Sequence, residues 1–233
     1  MIRYFLLIIF ICHTIGIFAN SLTIEFPQFS NTVIGIAPNF YDESNQQNHA
    51  KEQATVIYSR LQNSYSFYEL MIIDYYNQKK TKSFTTNIDS LYQNYDDLRL
   101  IYTLSLSGYN IFFYDRHDSQ IPDIKELFID KIETFPEVKI EKNAILVATT
   151  ADALKLDDAL DAAFDLALAE MTKTTNLTAV SILEANYYYA FHDVLVRAEN
   201  LLSNLRLSKI TIKQNTDKNY YYYTVRIELR KTT

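Results

Sequence analysis

The apolar leader of this chain contains its only cysteine, and this limits how the remaining residues can fold. Arg3 is followed by the run YFLLIIFI, and the leader ends on a small residue, Ala19. One positive charge, an apolar run and a small terminal residue are typical of a secretory signal peptide, so we expect residues 1–19 to be removed. The alternatives are a leader kept as a membrane anchor and a lipoprotein acylated on Cys12.

Without the leader the chain must fold with no disulfide, no thiolate nucleophile and no cysteine zinc site. An exported protein without disulfides suits a bacterial envelope. Hydrophobic residues make up 48% of the chain, which is enough for a packed core. The net charge is -6, with acids and bases interspersed rather than in a basic stripe, so we expect no nucleic-acid partner. No later segment is apolar enough to span a membrane, although membrane association stays open.

Glycine is scarce, which excludes several nucleotide-binding folds. Of three glycines, only Gly35 and Gly108 lie outside the leader, so no glycine-rich loop is available to hold a phosphate. The sequence also lacks a Gly-x-Ser-x-Gly elbow, a His-Glu-x-x-His pair and a calcium-binding loop. We therefore expect neither a cofactor nor a bound metal.

The order of elements repeats along the chain and predicts an α+β fold of two tandem similar modules. Residues 20–120 are predicted to form the first module and residues 142–233 the second, joined by a connecting segment over residues 121–141. Ala50 and Ala54 in the first half correspond in spacing to Ala163 and Ala167 in the second. Each module is expected to be a mostly antiparallel sheet with two helices packed on it.

Apolar periodicity places the individual elements within this plan. Helices are predicted at Ser44–Gln62, Ile88–Ser107, Ile124–Thr134, Ala153–Thr172 and Asp193–Leu205. Strands are predicted at Thr32–Ala37, Tyr65–Tyr76, Tyr109–Tyr114, Ala144–Ala148, Ala179–Phe191, Ser208–Lys213 and Tyr220–Arg230. A loop is predicted over Asn77–Thr86.

The densest polar cluster is the run from Asp115 to Asp118. Asp115, His117 and Asp118 could act in a secreted hydrolase or a metal-dependent enzyme, because a carboxylate can orient an imidazole. A solvated loop after a strand is the interpretation that we favour, and we expect no catalytic residue here.

A row of carboxylates marks the best predicted helix. Spacings of four residues align Asp157, Asp161 and Asp165 along the helix. A calcium or cationic-partner site is conceivable, but calcium prefers six to eight oxygens from a folded loop. We therefore favour a solvated helix face.

Tyrosine is abundant, at 19 residues, and clusters in two predicted strands. Tyr187, Tyr189, Tyr220 and Tyr222 form a candidate interaction surface, because a tyrosine ring is apolar while its hydroxyl remains satisfied in water. The alternative is that tyrosine serves as a strand former in a sheet buried on both faces.

The strand Ala144–Ala148, the alanine-spaced helix and the closing strand Tyr220–Leu229 together resemble a known protein family. They are similar to the small outer-membrane lipoproteins of Gram-negative bacteria and to related flagellum-associated envelope modules. The resemblance covers roughly residues 142–231, and the lipobox of that family is absent here. It implies an envelope module without catalytic activity.

These observations predict an exported, non-enzymatic protein of the periplasm or cell envelope. We expect it to act through protein–protein contacts in envelope or flagellar assembly, with a protein partner or a second copy of itself. A secreted enzyme that uses the Asp115–Asp118 cluster and a periplasmic ligand-binding module are the alternatives.

Overall fold

The computed structural model describes most of the chain beyond the leader. The described residues are 21–28, 30–75, 78–90, 97–106, 108–116, 121–127, 129, 131–175, 177–185, 190–217 and 220–232. The predicted leader and Cys12 lie outside them. Within the described residues no helix is long and apolar enough to cross a membrane.

The described residues form thirteen strands and two helices. The helices are α1 (Glu43–Gln62) and α2 (Leu156–Thr175). The strands are β1 (Ser21–Glu25), β2 (Val33–Pro38), β3 (Asn63–Tyr75), β4 (Gln78–Ser90), β5 (Arg99–Leu106), β6 (Tyr109–Asp115), β7 (Asp123–Leu127), β8 (Glu137–Glu141), β9 (Ala144–Ala153), β10 (Leu177–Ala185), β11 (Ala190–Ser203), β12 (Leu205–Asp217) and β13 (Tyr220–Thr232).

Both helices form where the sequence places apolar residues at helical spacing, as predicted. The Asp42 side chain caps α1 by accepting from the Asn45 backbone N–H at 3.0 Å, which satisfies one of the first-turn donors. In α2, Ala159, Ala163 and Ala167 are fully buried along one face. The two helices thus owe their stability to apolar faces packed on sheets.

The strands pair antiparallel in three sheets. The six-stranded sheet has the order β7-β1-β12-β13-β9-β8, the four-stranded sheet β10-β11-β3-β4 and the three-stranded sheet β2-β6-β5. Helix α1 packs on β2, and α2 packs on β9 and β13. One apolar cluster joins residues of both helices, the three-stranded sheet and the six-stranded sheet.

Small residues bring each helix close to its sheet. Gly35 of β2 lies directly against the Ala50 backbone of α1. On the other side of the core, Thr149 of β9 donates from its hydroxyl to the Ala163 carbonyl of α2 at 2.8 Å. A larger side chain at either contact would push the helix away from the strand.

The prediction of two tandem modules with two helices each is wrong. The four-stranded sheet joins the halves, because β11 pairs with β3 from Phe191↔Tyr75 to Ser203↔Asn63. The six-stranded sheet likewise adds β1 to β12. The halves share only a smaller unit, in which the strand before the helix pairs with the last strand of its half, β2 with β6 and β9 with β13.

Three predicted helices and one predicted loop are wrong, because no helix forms in their described residues and each segment contributes to strands. The predicted helix Ile88–Ser107 overlaps the end of β4 and all of β5, and Asp193–Leu205 overlaps β11 and the start of β12. The predicted helix Ile124–Thr134 begins in β7, and the predicted loop Asn77–Thr86 lies largely in β4. Within these strands, pairing with a neighbouring strand satisfies the backbone and overrides the local pattern.

The helices divide the molecule into two ends. At their C-terminal ends, α1 leads directly into β3 at Asn63, and α2 leads into β10 at Leu177. There the backbone N–H of Asn204 donates to the Gln62 carbonyl at 3.3 Å, and Asn204 adopts a positive φ of 55° that asparagine tolerates. The four-stranded sheet therefore begins at one end, while β2 and β9 approach the N-terminal ends of the helices.

Candidate functional site

Asp115 is the described member of the polar cluster Asp115–Asp118, which the enzyme alternative would use. It ends β6 with 1% of its surface exposed, and its Oδ2 accepts from the Thr32 hydroxyl at 2.9 Å. The same Thr32 oxygen is hydrogen-bonded to the Ser30 hydroxyl. His117 and Asp118 lie outside the described residues. Asp115 therefore joins β6 to the residues before β2, and its described contacts are those of a buried structural carboxylate.

Two of the four predicted surface tyrosines lie at the start of β13. The rings of Tyr220 and Tyr222 are 6.3 Å apart. The Tyr220 hydroxyl donates to Asp217 Oδ2 at 3.1 Å, and this carboxylate raises the pKa of Tyr220. Tyr187 and Tyr189 lie outside the described residues. The β12–β13 hairpin thus carries Tyr220 and Tyr222 near its tip, and the interaction surface stays a prediction.

The tip of the β12–β13 hairpin extends beyond the neighbouring strand β9 and helix α2. Strand β13 pairs with β9 only from Tyr223, opposite Ala153, and α2 begins at Leu156. Tyr221 alternates onto the same side as the buried Tyr223, yet 63% of its surface is exposed. No described strand or helix covers that position.

Further apolar side chains lie at this same end of the helices. Phe40 and Tyr41 follow β2, with ring centroids 4.8 Å apart and Phe40 77% exposed. Leu154, between β9 and α2, is also exposed. We call the surface formed by Phe40, Tyr41, Leu154, Tyr220 and Tyr221 the aromatic end.

An aromatic pair, buried at Tyr223 and partly buried at Tyr109, connects the two parts of the aromatic end. The rings of Tyr109, beside Pro38 in the three-stranded sheet, and Tyr223, in the six-stranded sheet, meet edge to face at 5.4 Å. Burial raises the pKa of both hydroxyls. Sequence reasoning missed Phe40 and Tyr41, although an aromatic pair between a strand end and a helix cap is a usable signal of exposure.

The acidic row of α2 faces α1 across an open groove of about 460 Å³, which we call the helix groove. His49 Nε2 lies 3.7 Å from Asp157, and Arg60 Nη1 lies 2.6 Å from Asp165. In the middle of the row, Gln53 Nε2 donates to Asp161 Oδ1 at 3.0 Å. The interpretation of this row as a purely solvated face is therefore incomplete, because it pairs the two helices.

Negative charge dominates the helix groove. Glu52 and Asp158 also line it, so carboxylates outnumber the basic side chains. Withdrawal from water raises the pKa of both Asp161 and Asp165, although Arg60 opposes this at each. Within the part of the chain that the structure describes, no three His, Cys, Asp and Glu side chains are placed to hold a metal ion. The geometry here is that of a helix–helix contact.

A smaller cavity of about 270 Å³ lies on the outer face of the six-stranded sheet. Arg226 Nη1 donates to the backbone carbonyls of Glu133 and Phe135 at 2.8 and 3.2 Å, and its Nη2 donates to Glu137 at 3.0 Å. Lysines and glutamates are mixed along the lining, so the cavity has no dominant charge. Arg226 here holds the segment before β8 against the sheet.

Comparison with protein-family models, with curated proteins and with solved structures finds no match for this chain.

Proposed function

We propose that this chain is an exported, non-enzymatic envelope protein that acts through protein–protein contacts made by its aromatic end. The observation that carries the proposal is that large apolar side chains are exposed in three separate connections at one end of the helices, after β2, after β9 and at the β12–β13 tip. Contiguous apolar patches on a folded surface mark interaction sites, and aromatic residues are enriched in them.

The other polar features support structural roles more than chemistry. The Asp115 carboxylate is buried against Thr32, which disfavours a hydrolase that depends on it. The carboxylates of the helix groove face side chains of α1 rather than a preformed ligand cage. We therefore assign the contact to the aromatic end, where several large apolar side chains are exposed.

Site-specific photocrosslinking in the native host tests the contact. A photoreactive phenylalanine analogue replaces Phe40 in one strain and Tyr221 in another, and each is expected to form a discrete protein adduct. The matched control carries the analogue at Ile140 on β8, an apolar residue that is 76% exposed but lies away from the aromatic end. Equal adducts at all three positions, or none at Phe40 and Tyr221, would refute the proposal.

Export is tested separately by intact-mass analysis of the protein recovered from the envelope. A chain that starts at or next to Asn20 without lipid is expected, because the leader ends on a small residue at Ala19. A lipid on Cys12, or the full-length chain in the membrane, would contradict cleavage. A folded His117→Ala protein that lost its activity while keeping its adducts would favour the enzyme alternative.

A further inference from the structure

The four-stranded sheet consists of two long hairpins placed side by side. One hairpin is β3–β4 and the other is β10–β11, and their order is β10-β11-β3-β4. Within the described residues, β10 and β4 each pair with a strand on one side only. Such edges expose rows of backbone donors and acceptors that can pair with another strand.

The pairing of β11 with β3 joins the two hairpins, and this joint shows how a third hairpin could be added. There the second strand of one hairpin, β11, pairs antiparallel with the first strand of the other, β3, along thirteen residues. The free edges are again a second strand, β4, and a first strand, β10. Because every neighbouring pair in the sheet is antiparallel, β10 of another molecule laid beside β4 continues the alternation of strand directions.

We propose that β4 of one molecule pairs antiparallel with β10 of a second copy, through a joint of the same kind as β11–β3. The two surfaces differ, so the contact is head to tail and repeats until a ring closes or a filament grows. This assembly goes beyond the proposed function, because it uses the C-terminal side of the helices and leaves the aromatic end at the other side.

Charge disfavours one competing arrangement. The sequence of β4 carries Lys79, Lys80 and Lys82, with no acidic residue until Asp89. Two β4 edges brought together would place these like charges close to one another, and like charges on facing strands are destabilising. The sequence of β10 has a single charge, Glu184, and no proline. A β10–β10 pair is therefore the competing arrangement that an experiment must distinguish.

Cysteine pairing distinguishes the two arrangements. The register places Ser83 of β4 and Ala179 of β10 on one row across the sheet, through Leu70 and Val196. Ser83→Cys and Ala179→Cys are made as separate full-length variants in a Cys12→Ser background. They are then oxidised alone and as a mixture. A short bismaleimide is used in parallel, so that a joint offset by one residue pair is still detected.

The expected result is a crosslinked dimer in the mixture and none in either variant alone. The double variant is expected to give a ladder of dimers, trimers and larger species. Its two cysteines are three strand spacings apart within one molecule, about 14 Å, which exceeds the reach of a disulfide. Sedimentation of the unmodified protein should show species beyond a dimer as concentration rises.

The matched control is Ser105→Cys on β5, an exposed serine on the edge of the three-stranded sheet. It should not crosslink with Ala179→Cys, and equal yields would mean that any open edge reacts. A dimer from Ala179→Cys alone would replace the head-to-tail joint with β10–β10 pairing. No product in the mixture, with circular dichroism showing both variants folded, would overturn the proposal. Photocrosslinking at the aromatic end would be unaffected by any of these outcomes.

Discussion

Gly35 is the position where a single methyl group should damage the fold most directly. It lies in β2, opposite Phe112 of β6, with α1 across its other side. A Cβ built on Gly35 would overlap the carbonyl oxygen of Ala50 and lie 2.5 Å from its carbonyl carbon and 2.9 Å from its Cα. These are backbone atoms, so no change of rotamer removes the clash. In Gly35→Ala, α1 must therefore move away from β2.

The cost should reach the upper part of the range for an overpacked core, about 3 kcal/mol. The same displacement would loosen the contacts of buried Ala54 and Ile57 with the core. For a chain of this size each kcal/mol lowers Tm by about 2–4 °C, so a fall of roughly 6–12 °C is expected. Thermal and urea unfolding followed by circular dichroism measure both quantities on the same protein.

Gly108→Ala is the matched control, because it adds the same methyl group where no described atom beyond its two chain neighbours lies within 4 Å. Gly108 has a φ of 87°, so alanine there pays only backbone strain, about 1–2 kcal/mol. If Gly35→Ala were as stable as the natural chain, or more stable than Gly108→Ala, the close contact between β2 and α1 would be refuted.

Three further variants test the core, the helix groove and the buried carboxylate. Ala163→Leu should cost about 1–3 kcal/mol in urea unfolding, because Ala163 is fully buried where α2 packs on β9, and an unchanged midpoint would contradict that packing. Asp161→Asn keeps an acceptor for Gln53 but removes a charge. The pKa of Asp161 is raised in the folded state, so the natural chain loses stability as pH rises above the unfolded value of 3.8. The Asp161→Asn variant should therefore be more stable than the natural chain at neutral pH. Below pH 3.8, where Asp161 is protonated in both states, that advantage should disappear. Asp115→Ala leaves the Thr32 hydroxyl without this acceptor and should cost about 1–3 kcal/mol in thermal unfolding, whereas a solvated Asp115 would cost almost nothing.

The helices were predictable because their periodicity is local. In α2, Ala159, Ala163 and Ala167 recur every four residues among leucines, and that spacing fits a helix face packed on a sheet. The closing strand was predictable for the complementary reason, since Val225 and Ile227 alternate with polar residues on a sheet that is buried on one side. Where one face of a helix or strand packs on the core, the spacing of its apolar residues identifies the element from the sequence.

The strands of the four-stranded sheet could not be predicted in this way. In the sequence of β11, Leu195, Ala198 and Leu202 follow the spacing of a helix, and this produced the wrong prediction over Asp193–Leu205. The structure pairs β11 with β10 on one side and with β3, from the other half of the chain, on the other. That second partner is invisible to any local window, so the element type depends on contacts that only the complete fold supplies.

In the helix groove, too, the residues on one helix were predictable from a local pattern, whereas their partners on the other helix depend on the tertiary fold. The row of carboxylates on α2 was evident, but its partners on α1 were not, because His49 and Gln53 carry no motif of their own. They meet Asp157 and Asp161 in the same order along the chain, which requires the two helices to run in the same direction. No feature within either helix specifies that direction. It follows from the strands to which each helix is connected.

Parallel helices bring like ends of their dipoles together, and the charged residues at those ends compensate. Both N-terminal ends carry partial positive charge, and acidic residues occupy the first turn of each helix, Glu43 in α1 and Asp157 and Asp158 in α2. Arg60 and Lys173 occupy the last turns, where the partial charge is negative. Because the helices are parallel, the connections from β2 to α1 and from β9 to α2 lie at one end of the molecule. The hairpins β3–β4 and β10–β11, which follow the helices, begin at the other end. A contact surface at the aromatic end and strand pairing at the open sheet edges are therefore separated by about the length of one twenty-residue helix, roughly 30 Å, so one molecule can use both at once.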